Sequence, residues 1–396
     1  MAAGVIYVAQ RKLNAVGESE NEFPASAVIS KSVVRENTTP SLQVRTFSLP
    51  TDASISDIQM LDAMNGWVWC DDRELYKTSD GGEHWTRVPL NLPARSSITD
   101  AYFLNRDVGW ITVSRTVVGP DEAEGPGSYE DATWIFETRD GGKTLSERST
   151  IKYGQITEIE FVDEREGWAT GRMLSRGYPE RNASLVLHTT TGGKDWQNLS
   201  AKLPASEGVE GLHLIGPRAA VLLTDDGAVN KTVNEGETWT RVDKLTYEND
   251  QFAIWGFELG KDNRLMIVGG ASSEWHGTHG MLATKDERQN WIVHEVANIH
   301  LTDAMFLSDS EVLACGSLLV ELSKFQPYKP EVREAVLLYS PDKGKTWTIL
   351  SRYPQSKFLT ALAITDTNEA MAVGSRGLVF KIKLPLDRIP VSARNR

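Results

Sequence analysis

The sequence predicts an all-β fold: a seven-bladed β-propeller of four-stranded antiparallel blades, with the ring closed by an N-terminal strand. Three observations lead to this prediction. A turn motif recurs along the chain at intervals of about 43 to 60 residues, a pair of alternating strands precedes each copy, and many of the 12 tryptophans fall at fixed places in the repeat. Regular spacing of several short strands per repeat is typical of a propeller.

The turn motif appears six times, beginning at Thr78, Thr138, Thr189, Thr232, Thr284 and Ser340. The first copy reads Thr-Ser-Asp-Gly-Gly-Glu-His-Trp. An Asp or Asn at the third position accepts hydrogen bonds from nearby amides, and Gly supplies the positive φ of a tight turn. The expected structural residues are Asp80, Asp140, Asn234, Asp286 and Asp342, together with Trp85, Trp196, Trp239, Trp291 and Trp347.

Counting the strand pairs gives seven units, because period-two alternation broken by Gly, Asn and Asp reads as short antiparallel strands. The seventh unit lacks a turn motif and a fourth strand, and residues 42–50 are expected to supply that strand. The propeller then spans 41–385, preceded by a partly mobile arm at 1–40 and followed by a tail at 386–396. The predicted units are about 55–95, 97–150, 153–205, 208–247, 250–297, 299–352 and 356–384.

The formal net charge of −12 argues against a broad basic surface of the kind that binds nucleic acid. The sequence has no recognisable signal peptide and no apolar run long enough to span a membrane. The expected location is therefore the cytoplasm by default, or outside it if a leader has been removed. Cys70 and Cys315 fall at equivalent positions in second strands and are expected to be buried free thiols.

The six turns resemble the Asp box, also called the bacterial neuraminidase (BNR) repeat, of the sialidase-like superfamily. Combined with upstream Gly-Trp strands such as Gly66-Trp67 and Gly109-Trp110, they are most similar to the photosystem II assembly and stability factor family. This resemblance covers residues 42–384. It implies a non-catalytic scaffold that binds a protein partner, a membrane-complex subunit or an assembly intermediate, with no cofactor. The long insertions and acidic balance depart from that family, so the resemblance does not extend to the client.

Four units carry long connections between the second and third strands, and these connections all fall on the face opposite the turn motifs. Exposed aromatic residues and Arg are common at protein interfaces. This face is the predicted partner-binding surface, although loops also vary in length without any function. The predicted contact residues are Tyr129, Arg172, Arg176, Tyr178, Arg181, Trp275, His276, His279, Phe325, Tyr328 and Arg333.

Five units place an acidic residue at the start of the first strand, which lines the channel of a propeller. These channel carboxylates are Asp57, Asp100, Glu158, Glu210 and Asp303. They are suited to a cation or a basic side chain. Alternatively, they cap backbone amides within each blade as a repeated structural device.

A glycan-binding propeller or a glycoside hydrolase remains the alternative function, with carbohydrate as the ligand. Two facing channel carboxylates would then act on the sugar. The sialidase-like tripeptide Arg388-Ile389-Pro390 follows the last unit instead of preceding the first, which does not fit that family's pattern. His276 and His279 lack a third ligand in their loop, so we expect no metal and no catalytic residues.

Overall fold

The structure is a computed structural model. It describes residues 27–36, 42–71, 73–94, 96–115, 132–173, 183–203, 208–247, 253–260, 264–273, 277–321, 332–365 and 369–384.

These residues form thirty β-strands, with short 3₁₀ turns at Ser200–Lys202 and Ser375–Gly377. The first three strands are β1 (Val28–Lys31), β2 (Val33–Glu36) and β3 (Gln43–Ser48). Blade 1 contains β4 (Ile55–Met60), β5 (Gly66–Cys70), β6 (Glu74–Thr78) and β7 (Thr86–Val88). Blade 2 contains β8 (Ser97–Phe103), β9 (Gly109–Arg115), β10 (Ala132–Thr138) and β11 (Ser146–Lys152). Blade 3 contains β12 (Gly154–Phe161), β13 (Gly167–Met173), β14 (Ala183–Thr189) and β15 (Gln197–Asn198). Blade 4 contains β16 (Val209–Gly216), β17 (Ala219–Thr224), β18 (Ala228–Thr232) and β19 (Thr240–Lys244). Blade 5 contains β20 (Ala253–Leu259), β21 (Leu265–Ser273), β22 (Gly277–Lys285) and β23 (Trp291–Ala297). Blade 6 contains β24 (Ile299–Phe306), β25 (Val312–Glu321), β26 (Val332–Ser340) and β27 (Thr346–Tyr353). Blade 7 contains β28 (Leu359–Ile364), β29 (Glu369–Gly374) and β30 (Leu378–Lys383).

The seven sheets form a closed ring, which confirms the predicted fold class. The first strand of each blade contacts the first strand of the next, and β28 returns to contact β4. In blade 7 the sheet order is β28-β29-β30-β3. Strand β3 pairs antiparallel with β30, from Gln43 with Lys383 to Ser48 with Leu378. The predicted closure by an N-terminal strand is therefore confirmed.

The Gly-Trp strands build the core between neighbouring blades. Trp67 stacks on Phe103 of the next blade with ring centroids 4.0 Å apart, and Trp110 stacks on Phe161 at 3.5 Å. Trp67, Trp110 and Trp168 are all fully buried. Stacked aromatic pairs add to the stabilisation from apolar burial, so this motif fastens one blade to the next.

Five of the six turn motifs share one hydrogen-bond pattern. In the first, the Thr78 hydroxyl donates to Asp80 Oδ1 at 2.9 Å, Gly82 N–H donates to that hydroxyl at 2.9 Å, and His84 N–H donates to Asp80 Oδ1 at 3.0 Å. The same arrangement recurs in the motifs that begin at Thr138, Thr189, Thr232 and Ser340.

The motif at Thr284 in blade 5 has a different turn conformation. Glu287 and Arg288 replace the two glycines, and the positive φ moves to Gln289 (65°). Gln289 N–H donates to the Asp286 carbonyl at 3.1 Å, so β22 and β23 are joined by a tight hairpin turn. Asp286 still caps this turn, since its Oδ1 accepts Arg288 N–H and Asn290 N–H.

The Asp-box carboxylates make stability depend on pH. The amide hydrogen bond from His84 is the main reason that the pKa of Asp80 falls from 3.8 to about 2. A carboxyl whose folded pKa lies below its unfolded pKa stabilises the fold above pH 4, and this contribution disappears as the pH falls towards 2. We expect the melting temperature of Asp80→Asn to depend less steeply on pH between 4 and 2 than that of the wild type. Asn234 already caps the blade 4 motif, so Asn is a matched replacement; equal slopes would contradict this assignment.

The N-terminal strands β1 and β2 were not anticipated, because residues 1–40 were expected to form an arm outside the ring. Strand β1 pairs parallel with β23 and strand β2 pairs parallel with β27, so blades 5 and 6 have five strands each. Ser32 lies between these strands, and its hydroxyl donates to the Gly344 carbonyl at 2.6 Å. Residues 28–36 therefore bridge the outer edges of two blades.

Candidate functional site

The connections between second and third strands lie at the end of each blade opposite the turn motifs. In blade 1, Cys70 pairs with Glu74 beside this connection, whereas Gly66 pairs with Thr78 at the motif end. The innermost strand also begins at the end that carries these connections, because its first residue, Ile55, pairs with Cys70. We call this end of the ring the mouth. The turn motifs lie at the other end, the Asp-box face.

A cavity of about 430 Å³ lies at the mouth and is lined by the innermost strand of every blade. Each of these strands has a β-bulge near its start, where the pairing register skips one residue. The seven skipped residues line the cavity, and so do the seven residues that follow them. The skipped residues are Ser56, Thr99, Thr157, Glu210, Trp255, Thr302 and Thr360, and their successors are Asp57, Asp100, Glu158, Gly211, Gly256, Asp303 and Ala361.

The channel carboxylates join neighbouring blades. Asp100 Oδ1 accepts the N–H of Ala101 in its own strand at 2.9 Å, and its Oδ2 accepts the N–H of Ile159 in blade 3 at 2.8 Å. Asp303 repeats this pattern with the Leu362 N–H of blade 7 at 2.9 Å, and Glu158 Oε2 accepts the Leu212 N–H of blade 4 at 2.7 Å. The capping that was expected within each blade therefore also crosses from one blade to the next.

Glu210 is one residue out of register with the other four carboxylates, which corrects the expected five-membered ring. It occupies the bulge position that Ser or Thr holds in five blades, while Gly211 occupies the carboxylate position. Arg172 of blade 3 donates to Glu210 Oε1 at 2.8 Å. Burial raises the pKa of Glu210, and the charge of Arg172 opposes that rise.

In blades 4 and 5, Gly211 and Gly256 carry no side chain at the carboxylate position; Phe257 packs against Gly211, whereas the space beside Gly256 is open. A Cβ atom added at Gly256 would meet no atom within 4 Å. Trp255 replaces the threonine of other blades and packs edge-on against His300, with ring centroids 5.1 Å apart. The open side of the cavity therefore combines an aromatic wall with acidic groups.

The predictions from the sequence did not include the Ser and Thr residues of the bulges, although most of these residues directly precede a channel carboxylate. Their hydroxyls also cross between blades: Thr302 donates to the Leu359 carbonyl at 2.8 Å, and Thr360 donates to the Ile55 carbonyl at 2.7 Å. A recurring Ser/Thr-Asp/Glu pair at the start of the first strand is the signal that would have identified them.

Three of the predicted contact residues lie within the described part of the chain. Arg172 lines the cavity with its side chain 46% exposed. His279 lies on β22 and Arg333 lies on β26, near the mouth end of blades 5 and 6. The remaining eight fall outside the described residues: Tyr129, Arg176, Tyr178, Arg181, Trp275, His276, Phe325 and Tyr328.

The insertion of blade 5 is mainly a hairpin extension, which differs from the expected long loop. Strands β21 and β22 remain paired as far as Ser273 with Gly277. Blade 6 is also extended, since Glu321 still pairs with Val332. Because the inserted residues form further hydrogen-bonded pairs, these insertions lengthen the strands of their blades.

Cys70 and Cys315 are buried free thiols, as expected. Across the described ranges, no group of three or more His, Cys, Asp or Glu side chains has the arrangement of a metal site. The same residues include no helix that is long and apolar enough to cross a bilayer.

Comparison with known proteins supports the resemblance seen in the sequence. The family model for the photosynthesis system II assembly factor YCF48 matches residues 130–247. The photosystem II assembly lipoprotein Ycf48 of Synechococcus sp. (strain CC9902) is 23% identical over 197 residues, which are 49% of this chain and 38% of that protein. The chloroplastic photosystem II stability/assembly factor HCF136 of Oryza sativa subsp. japonica is 30% identical over 26% of this chain and 24% of its own length. The matches thus span well under half of either relative.

Solved structures confirm the propeller fold. A structure described as YCF48 bound to D1 peptide superposes with a TM-score of 0.59 at 18% identity, covering 90% of this chain and 100% of that one. The GH74 xyloglucanase from Xanthomonas campestris gives a TM-score of 0.57 at 14% identity, covering 85% of this chain and 53% of the enzyme. Both an assembly factor and a glycosidase therefore share this architecture, and the fold alone does not choose between them.

Proposed function

We propose that this protein is a non-catalytic assembly scaffold that holds a protein partner on its mouth face. Its relatives are photosystem II assembly factors, and one similar structure is described as bound to a D1 peptide. The observation that carries the proposal is the cavity of about 430 Å³ at the mouth, a volume typical of binding pockets. Strands from all seven blades surround this cavity, so its shape is fixed by the ring.

The cavity favours a partner segment that carries Lys or Arg. Five carboxylates and a single Arg line it, and Arg172 is bound to one of the five, Glu210. A cleft lined by one sign of charge concentrates the field and selects oppositely charged groups. Trp255 adds a flat apolar surface beside these charges. A basic side chain that extends from an otherwise apolar segment matches both features.

The carboxylates are poorly placed for glycoside hydrolysis. A general acid must present its carboxyl group to the bond that breaks. Both oxygens of Asp100 and both oxygens of Asp303 accept main-chain amides, while Glu210 is bound to Arg172. These contacts support a structural and electrostatic role for the ring, and they favour the scaffold over the enzyme.

Gly256→Leu tests the proposal by filling the cavity. The added side chain enters open space, so we expect the free energy of unfolding to change by no more than about 0.5 kcal/mol. Partner capture should fall at least about tenfold, because the leucine occupies the volume that a partner side chain needs. The measurement is affinity purification from the native cell, with quantitative mass spectrometry of bound proteins.

Met64→Ser is the matched control, since Met64 is 49% exposed and belongs to the turn between β4 and β5 on the Asp-box face. This variant should capture the same partners as the wild type. If Gly256→Leu retains every partner at the wild-type level, the mouth is not the binding face. Hydrolysis of an oligosaccharide by the wild-type protein would refute the non-catalytic assignment.

A further inference from the structure

The glycine turns of the Asp boxes fill the clefts between blades on the Asp-box face. In blade 2, a Cβ atom added at Gly142 would lie 3.1 Å from both Leu75 and Val88 of blade 1. In blade 6, the turn at Gly344 packs on Leu282 of blade 5, and in blade 4 the turn at Gly236 packs on Leu199 of blade 3. Each of these turns therefore covers apolar side chains of the preceding blade.

Blade 5 leaves its cleft uncovered because its motif folds as a tight hairpin turn. The effect is visible in two copies of Trp-Thr-Arg-Val, at 85–88 in blade 1 and 239–242 in blade 4. Val88 is 7% exposed beneath the blade 2 turn, whereas the equivalent Val242 is 49% exposed next to blade 5. Leu199, at the same position in blade 3, is fully buried. Val242 also lies in a β-bulge of β19, where Asp243 pairs with Val229 as Val88 pairs with Leu75, so the bulge and the missing glycine turn together leave Val242 exposed.

A cavity of about 450 Å³ occupies this place between blades 4 and 5. Its apolar floor includes Val221, Val229, Val242 and Leu265, and Lys231 and Lys343 stand among its lining residues. Neither lysine forms an ion pair with any residue that the structure describes.

Most of the other charged residues of the cleft already form an ion pair or cap a turn. Lys285 pairs with Asp243, Arg264 pairs with Asp309 at 2.9 Å, and the carboxylate of Asp286 caps its own turn. Glu287 is exposed at the edge. Four basic and three acidic side chains line the cleft, and Lys231 and Lys343 are the two basic ones that form no ion pair with a described residue.

We propose that the cleft between blades 4 and 5 is a second protein-docking site, which takes a partner turn carrying an apolar side chain flanked by carboxylates. The apolar side chain replaces the missing Asp-box turn over Val229 and Val242, and the carboxylates pair with Lys231 and Lys343. This site lies on the face opposite the mouth and is independent of the partner proposed there. Its ligand chemistry is also opposite: acidic here and basic at the mouth.

The test uses a defined probe, the capped peptide acetyl-Gly-Asp-Leu-Asp-Gly-amide, with NMR spectra of the Val and Leu methyl groups. Binding should shift the methyl signals of Val229 and Val242. The double variant Lys231→Gln with Lys343→Gln should bind about threefold to tenfold more weakly, the effect of losing two solvent-exposed ion pairs. A peptide with Asn in place of both Asp residues should bind the wild-type protein more weakly by a similar factor.

Two variants close the cleft in different ways. Glu287→Gly with Arg288→Gly restores the glycines of an Asp box, and Val242→Trp fills the space from the floor without changing the turn. Both should abolish the methyl shifts, whereas Gly256→Leu at the mouth should leave them unchanged. The proposal is overturned if the peptide shifts neither valine, if Val242→Trp binds it as the wild type does, or if the Asn peptide binds equally well.

Discussion

Replacing Trp110 with alanine is expected to lower the free energy of unfolding by about 3–5 kcal/mol, the usual cost of truncating a fully buried tryptophan. The indole is completely buried and stacks on Phe161 of the next blade. Its Nε1–H also donates to the Gly192 carbonyl in the Asp box of blade 3 at 3.2 Å. One side chain thus joins blade 2 to both the core and the turn of blade 3.

Trp110→Phe separates these two contributions, because it retains an aromatic ring but loses the hydrogen bond to Gly192. We expect it to cost about 1–2 kcal/mol. Urea unfolding followed by circular dichroism measures both variants, with the slope of the transition as a check on two-state behaviour. A loss below 1 kcal/mol for Trp110→Ala would show that the stack does not hold the blades together.

Arg45→Pro is expected to open the ring and to lower the free energy of unfolding by about 3 kcal/mol. Leu49 N–H donates to the Gly377 carbonyl, and the pairing of β3 with β30 continues without a register shift. In an antiparallel pair every second residue donates across the strands, so the N–H of Arg45 points towards Lys381. Proline there removes a donor from the bond that closes blade 7.

Thr46→Pro is the matched control, since the N–H of Thr46 points away from β30, at the outer edge of the sheet. Proline is tolerated at such edge positions, and we expect a cost below about 1 kcal/mol. Arg45→Ala keeps the backbone donor and removes the exposed ion pair with Glu83 and the contact of the guanidinium with the Phe47 ring, each worth at most about 1 kcal/mol. Thermal unfolding of the three variants provides the comparison. Equal losses for both prolines would mean that β3 does not close the ring.

The sequence predicted the features that repeat, because repetition separates a structural rule from chance. The Asp-Gly turns and Gly-Trp strands predicted the blades, and the resemblance of residues 42–50 to a fourth strand predicted the closure. The turn of the blade 5 motif was not predicted, since Asp286 and Trp291 occupy the expected places while the conformation depends on the residues between them. Glu235 and Lys343 take positive φ at the position of Glu287 in other boxes, so the decisive change is Arg288 at the second glycine position.

The candidate sites were harder to predict, because they depend on differences between blades. Glu210 looked like a fifth member of the acidic ring, and only the bulge register shows that it replaces a threonine. The cleft between blades 4 and 5 depends on a side chain in one blade and a turn in the next. Strands β1 and β2 are short and parallel to their partners, and no local pattern indicates which distant edge they will join.

The closure of blade 7 also fixes the order of events during synthesis. Strand β3 leaves the ribosome before any blade exists, yet its partner β30 follows every other described strand along the chain. Strand β3 has no partner strand until β30 is made, and unpaired strand edges of this kind invite aggregation. Ring closure therefore waits for the synthesis of β30, and a nascent chain that stops short of Leu378 remains an open ring with exposed strand edges.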